Sequence, residues 1–251
     1  MIALVAYRVG SLSPSGAWAA WLVGSLTFGF GGLIPAVLLV AFFVSSSLLS
    51  RFGSGRKRQL AEKFAKGSTR DAAQVAANGA AASAFAVLVG FGGTTLPLAG
   101  VVGALAAVTA DTWATELGVL ARSRPRRLTD WARVSPGTSG AITMEGSLAA
   151  AAGACFIGGL AALLAGRPIY LLAGLLGGAG GAFIDSWLGA SLQARYYCPQ
   201  CGKETEHFPV HTCGVNTQFT GGWRWLNNDA VNAVASIMGA IIGLSIAVLS
   251  L

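Results

Sequence analysis

Long apolar blocks separated by short polar punctuation run the length of the chain, at 16–30, 33–50, 71–90, 96–120, 145–165, 168–194 and 229–251. A helix needs roughly 17–25 such residues to cross a hydrocarbon core about 30 Å thick. All but the first block reach that length. Residues 1–10 are too brief to span; they lack a basic start and a cleavage site, so they read as an interfacial segment and not as a signal peptide. The pattern predicts an all-α, polytopic membrane protein with about seven transmembrane helices. It forms a single integral-membrane domain over 1–251, with a cysteine-containing loop at 195–228.

Composition agrees. Of 251 residues 54% are hydrophobic and only 11% charged, with 35 glycines; a soluble domain carries about 25% charged residues. An ordinary soluble enzyme and a disordered chain are both excluded. The formal charge of +7 comes from 17 Lys and Arg against 10 acids, and their placement orients the chain. Basic residues cluster in 51–70, in 122–133 and around the cysteine loop (Arg195, Lys203, Arg224). Two apolar blocks separate each cluster from the next, so all three fall on one side, which the positive-inside rule makes cytoplasmic. The opposite side has only short turns, at 31–32, 92–95 and 166–167. The basic balance thus points to lipid and not to nucleic acid.

Glycine inside the blocks, as at Gly174, Gly177, Gly178 and Gly181, suits close helix packing. Two echoes, Gly29-Phe-Gly-Gly32 with Gly90-Phe-Gly-Gly93 and Asp111-Thr-Trp with Asp185-Ser-Trp, have chance as their simpler cause in so simple a sequence.

Ionisable residues in or beside a span are costly and point to function. Asp71, Asp111, Glu116, Glu145, Asp185 and Asp229 all stand so, most of them near the basic loops. Asp71, Gln74 and Asn78 share one helical face, as do Asp229, Asn232 and Ser236, with Asn228 adjacent. Any one acid reads as a helix cap or a local ion pair; four on four spans predict a shared polar site. Carboxylates and amides are hard oxygen donors suited to Mg²⁺ bridged to phosphate. Lys63 and Arg70 suit phosphate oxygens, and Ser135-Pro-Gly-Thr138-Ser139-Gly140 offers hydroxyls and backbone N–H groups, or else a plain turn. This set fits phosphoryl or nucleotidyl transfer, and equally an organophosphate transporter. No phosphate-binding Gly-x-x-x-x-Gly-Lys-Ser/Thr loop is present, and the only histidines, His207 and His211, lie in the cysteine loop, which argues against a P-loop kinase and a Ser-His-Asp hydrolase.

That loop carries Cys198, Cys201, His207, His211 and Cys213. Cys198, Cys201, His211 and Cys213 make a tetrahedral Zn²⁺ set, with His207 as the alternate imidazole, and a metal-free reduced loop as the other reading. Its expected role is a structural clamp.

Several stretches resemble a widespread integral-membrane family: Glu62-Lys-Phe-Ala-Lys-Gly67, Arg70-Asp-Ala-Ala-Gln-Val-Ala-Ala-Asn-Gly79, Ala110-Asp-Thr-Trp-Ala-Thr-Glu-Leu-Gly118, Pro136-Gly-Thr-Ser-Gly140, Ile184-Asp-Ser-Trp-Leu-Gly189 and Asn227-Asn-Asp-Ala-Val-Asn232. This is the family of transmembrane protein nineteen, which includes the plant chloroplast phytyl-phosphate kinase. The resemblance covers nearly the whole chain; Glu145 departs from it, standing where a neutral residue is expected. It implies phosphorylation of an isoprenyl monophosphate to the diphosphate by a nucleoside triphosphate, and CTP in particular, since related prenol kinases use CTP.

The combined reading is a prenyl-phosphate kinase in the lipid bilayer. Asp111, Asp185 and Asp229 are its candidate Mg²⁺ ligands, supported by Glu116 and Asn232. Lys63, Arg70, Asp71, Gln74, Asn78, Ser135, Thr138, Ser139 and Asn228 are candidates for holding phosphate and nucleotide. A lipid-phosphate transporter or flippase and a cytidylyltransferase are its rivals, and a homo-oligomer stays open.

Overall fold

Small residues decide how these helices assemble. The computed structural model describes residues 1–53, 55, 57, 69–92 and 95–250; Lys63 lies outside the described residues. In chain order the helices are α1 (Ile2–Arg8), α2 (Pro14–Gly31), α3 (Leu33–Arg51), α4 (Ala72–Gly90), α5 (Thr95–Gly118), α6 (Met144–Ala165), α7 (Ile169–Ser191) and α8 (Asn228–Val248). Among the described residues, α3 through α8 are long and apolar enough to cross a membrane. The first expected span, α2, is an 18-residue helix that packs on α4 and does not reach the same hydropathy. Its Thr27 is fully buried and hydrogen-bonds Ser83 of α4 at 2.9 Å.

Local sequence sets the helix ends. Ser13, Thr143 and Asn227 accept the N–H of Gly16, Gly146 and Ala230, satisfying donors that the first turn leaves open. Gly166, left-handed at φ 64°, ends α6 two residues before Pro168.

Helix α5 is the axle. From Leu98 to Ala110 every residue is buried, enclosed by α3, α4, α6, α7 and α8. Such enclosure requires backbones to touch. A Cβ on Gly103 would stand 2.1 Å from the Gly239 carbonyl oxygen of α8, and one on Gly174 would stand 2.4 Å from Gly158 Cα of α6. With lipid outside, this close packing is what holds helix to helix.

Outside the helices, β1 (Arg126–Arg127) pairs with β2 (Ala141–Ile142) between α5 and α6. Between α7 and α8, β3 (Arg195–Cys198), β4 (Lys203–Thr205) and β5 (Gln218–Gly221) form an antiparallel sheet in the order β4-β3-β5. The cysteine loop is therefore a small folded sheet and not an open excursion.

Candidate active site

The C-terminal ends of α3, α5 and α7 and the N-terminal ends of α4, α6 and α8 open onto one cavity of about 1220 Å³. From α5 it takes Asp111, Thr112, Thr115 and Glu116; from α7, Asp185 and Ser186; from α8, Asn228, Asp229 and Asn232; from α4, Gln74 and Asn78. Arg70, Thr138 and Ser139 also line it. Acids from three separate helices thus meet in one space, together with amides from two.

The carboxyl groups of Asp111 on α5 and Asp185 on α7 face each other. Asp185 Oδ2 is shielded from solvent, and no described residue donates a hydrogen bond to it. A carboxylate oxygen in that position calls for a cation or a proton.

Glu116 has a different role from a free acid. It accepts Lys57 Nζ at 2.6 Å and the Ser50 hydroxyl, while Lys57 also donates to the Leu49 carbonyl at 2.7 Å. The pair joins the end of α5 to the end of α3 and sets an ammonium on the cavity wall.

Arg70 is fixed from both directions. Its backbone exchanges hydrogen bonds with Ser11 and Ser13, its guanidinium donates to Ser47 Oγ at 2.9 Å, and it lies 5.4 Å from the Phe43 ring centroid. Gly16 is required there, because a Cβ would stand 2.1 Å from the Arg70 carbonyl oxygen. Burial lowers the Arg70 pKa from its ordinary value, opposed by the charge of Glu116. A desolvated guanidinium is a strong partner for an anion.

The 135–140 loop is docked on the end of α7. Gly140, at φ 68°, lies so close that a Cβ would stand 2.1 Å from Ala190 N, and Gly189 leaves room for Ser139. Ser139 Oγ donates to Gln193 Oε1 at 2.8 Å, and Gln193 Nε2 donates to Glu206 Oε1 at 2.8 Å. This buried amide thus holds Glu206, the residue after β4, which lines the cavity beside His207 and Phe208.

Several expected residues stand elsewhere. Asp71 does not line the cavity: it is the N-cap of α4, accepting Gln74 N at 3.0 Å while Gln74 Oε1 accepts Asp71 N at 3.1 Å. Such a reciprocal box is a local helix signal. Ser135 is exposed outside the cavity, its carbonyl accepting Thr138 Oγ1 at 2.8 Å. Glu145 accepts hydrogen bonds from Ser123 and does not line the cavity. Lys57, Glu206, His207 and Arg224 line the cavity without having been singled out for it; the basic clusters hinted at Lys57 and Arg224, and nothing in the sequence pointed to Glu206 or to His207 in this role. Cys198, Cys201, His211 and Cys213 gather outside the cavity, with their ligand atoms within 4.8 Å of one another.

Residues 1–240, which include every lining residue from Ser50 to Asn232, match the family described as Integral membrane protein DUF92. The chain belongs to this family. Its DUF92 relatives include the Uncharacterized membrane protein MJ0933 of Methanocaldococcus jannaschii, 33% identical over 98% of this chain and 90% of the relative. Protein PGR of Arabidopsis thaliana is 32% identical over 95% of this chain and 90% of its own length. Protein VTE6, chloroplastic, also of Arabidopsis thaliana, is 27% identical over 94% of this chain and 65% of its own length. These are relatives of the integral-membrane family that the sequence motifs resemble. No solved structure matches this DUF92 chain.

Proposed function

We propose that the protein is a membrane kinase that converts an isoprenyl monophosphate, of the phytyl or geranylgeranyl class, to the diphosphate, with CTP as the nucleoside triphosphate. One observation carries this reading: Asp111, Asp185 and Asp229 share a cavity with Lys57 and Arg70. That combination suits a reaction in which a polyphosphate and its metal must be neutralised together. The same cavity runs between α6 and α7 along Ala150, Ala151, Ala179 and Ala182, an apolar wall fit for a prenyl tail. The family resemblance supplies the reaction class.

Mg²⁺ is the cofactor this reading requires, and the residues fit it. Asp185 Oδ2 lacks a donor and faces Asp111, so Asp111 and Asp185, with Asp229, would hold the ion; Glu116 is engaged by Lys57 and acts through it. When bound, the ion screens the charge on the β- and γ-phosphate oxygens. Arg70 and Lys57 orient the two phosphates, while Asn78, Asn228 and Asn232 offer further donors. An oxygen of the lipid phosphate bonds the γ-phosphorus as the bridging β–γ P–O bond breaks, and the nucleoside diphosphate leaves. On this reading the cavity end faces the cytoplasm, with the basic loops around it.

Incubation of the purified chain with CTP labelled at the γ-phosphate and with phytyl or geranylgeranyl phosphate tests the proposal. Label should appear in a lipid diphosphate. Release of pyrophosphate with CMP on the lipid would replace the reading with cytidylyl transfer. Unlabelled lipid that crosses liposome membranes would replace it with transport.

A further inference from the structure

The sheet between α7 and α8 is too small to enclose a core of its own. It holds together around a cluster of four side chains. Cys198 and Cys213 Sγ lie 3.5 Å apart, Cys201 Sγ and His211 Nδ1 3.6 Å, and His211 Nδ1 and Cys213 Sγ 3.2 Å. A tetrahedron with Zn–S of about 2.3 Å and Zn–N of about 2.0–2.1 Å has edges near 3.8 Å for S···S and 3.6 Å for S···N. The observed separations approach those edges and far exceed a disulfide bond of about 2.05 Å.

The backbone is arranged in two turns that deliver these ligands. Each passes through a Cys-Gly step: Gly202, at φ 64°, donates to the Cys198 carbonyl at 2.9 Å, and Gly214, at φ 86°, donates to the His211 carbonyl at 2.9 Å. Left-handed backbone there needs glycine. The same turns choose between the two histidines. His211 is buried and contributes Nδ1 to the cluster, whereas His207 lines the cavity.

We propose that Cys198, Cys201, His211 and Cys213 bind one Zn²⁺, and that this ion clamps the sheet that carries Glu206, His207 and Phe208 to the cavity. The connection is direct. β3 runs from the end of α7 into Cys198, and β4 runs from the Cys201 turn into Glu206. Beyond β4, Phe208 stacks on Tyr196 of β3 at 4.9 Å between centroids, and Thr217 Oγ1 donates to the His207 carbonyl. β5 then leads to Arg224 and the start of α8, where Asp229 lies. The clamp therefore sets the spacing of α7 and α8 at the cavity mouth, whatever reaction the cavity performs.

Elemental analysis of the full-length chain, purified in detergent without chelator, should find one zinc per chain. Replacement by Co²⁺ should give the visible d–d bands of tetrahedral thiolate coordination. Cys201→Ser and His211→Ala should lose the metal, while His207→Ala and Cys155→Ser keep it. Because loss of a ligand can unfold the loop, hydrogen exchange on the unmutated protein is the second measurement. Chelation should expose amides in 195–221 and leave 98–110 protected. The proposal is overturned by protein that holds no zinc and takes up no Co²⁺, by His211→Ala retaining full zinc, or by exchange in 195–221 indifferent to chelation.

Discussion

Asp111 of α5 and Asp185 of α7 face one another, and each stands one helical turn past a point of closest approach between their helices: a Cβ on Gly181 would lie 2.3 Å from Ala107 Cβ. The glycine lets the helices touch, and the turn above it puts two carboxyl groups together. Like charges so placed repel unless something positive lies between or beside them. The pair therefore needs a shared proton or a bound cation.

Replacing either acid by its amide should therefore separate function from stability. If the cavity carries out the proposed phosphoryl transfer, Asp111→Asn and Asp185→Asn are expected to lower its turnover by about 10²–10³-fold, the scale of losing one charge-stabilising group. Tm should hold or rise, since a repulsive pair has been relieved. Turnover assays beside a thermal melt in detergent check both; turnover near wild type would remove the metal site.

Gly181→Ala probes the helix contact beneath the pair. In an open helix interior the change would stabilise by roughly 0.5–1 kcal/mol. Here the added methyl meets Ala107 Cβ, with the Ala235 carbonyl 3.0 Å away, and overpacking of this kind costs about 1–3 kcal/mol. Gly24→Ala, with nothing within 4 Å of its new Cβ, is the control and should not lower Tm. Equal melts for the two variants would contradict the packing described.

Glu116 and Lys57 are expected to act as a unit. Their exposures of 20% and 15% shield the pair from water, and a hydrogen bond to a charged group is worth about 1.5–3 kcal/mol. Glu116→Gln should lower stability by up to that amount. Lys57→Met should raise KM for the nucleotide more than it lowers kcat, as expected of a group that binds phosphate in ground and transition states alike. A fall in kcat alone would assign Lys57 to the transition state instead.

Asp71 gives the opposite expectation. As the cap of α4 it contributes about 1 kcal/mol, within a range of roughly 0.5–2. Asp71→Ala should lower Tm with turnover per folded molecule unchanged, and Asp71→Asn should restore most of the loss. Loss of activity in Asp71→Asn at unchanged Tm would return the residue to the site.

These two groups of acids show what the chain discloses before it folds. Helix positions follow from uninterrupted apolar length. The face shared by Gln74 and Asn78 follows from helical spacing, because both depend only on neighbours along the chain. Asp71 followed the same spacing yet serves as a cap, since Asp at the first position with Gln three residues on satisfies the helix end locally. The Asp-x-Trp echo looked accidental because nothing in one dimension says that α5 and α7 pack at Ala107 and Gly181. Glu206 was hidden for the same reason: it lines the cavity from a segment beyond α7, and Gln193, buried by the docking of a separate loop, donates to it. Lys57, one of many cations in a basic run, is distinguished only by the acid it meets.

The flank between α6 and α7 yields the last prediction. Ala151 and Ala179 are exposed and yet line the same cavity as the acids, with Ala150, Ala182 and Phe183 beside them. Alanine leaves room there, and its chemistry is apolar where Asp111, Asp185, Asp229, Lys57 and Arg70 make another part of the cavity charged. If a prenyl tail leaves the phosphate site by this route, filling that space should shorten the tail the protein accepts. Ala179→Phe and Ala151→Phe are expected to lower kcat/KM for phytyl and geranylgeranyl phosphate by about tenfold or more, since one methylene in an apolar pocket already discriminates by roughly 10–200-fold. Geranyl phosphate, with its shorter chain, should lose little, and KM for CTP should not move. Both variants lie on a face open to lipid, so their melts should match wild type. An equal loss for short and long substrates would place the tail along another face of the bundle.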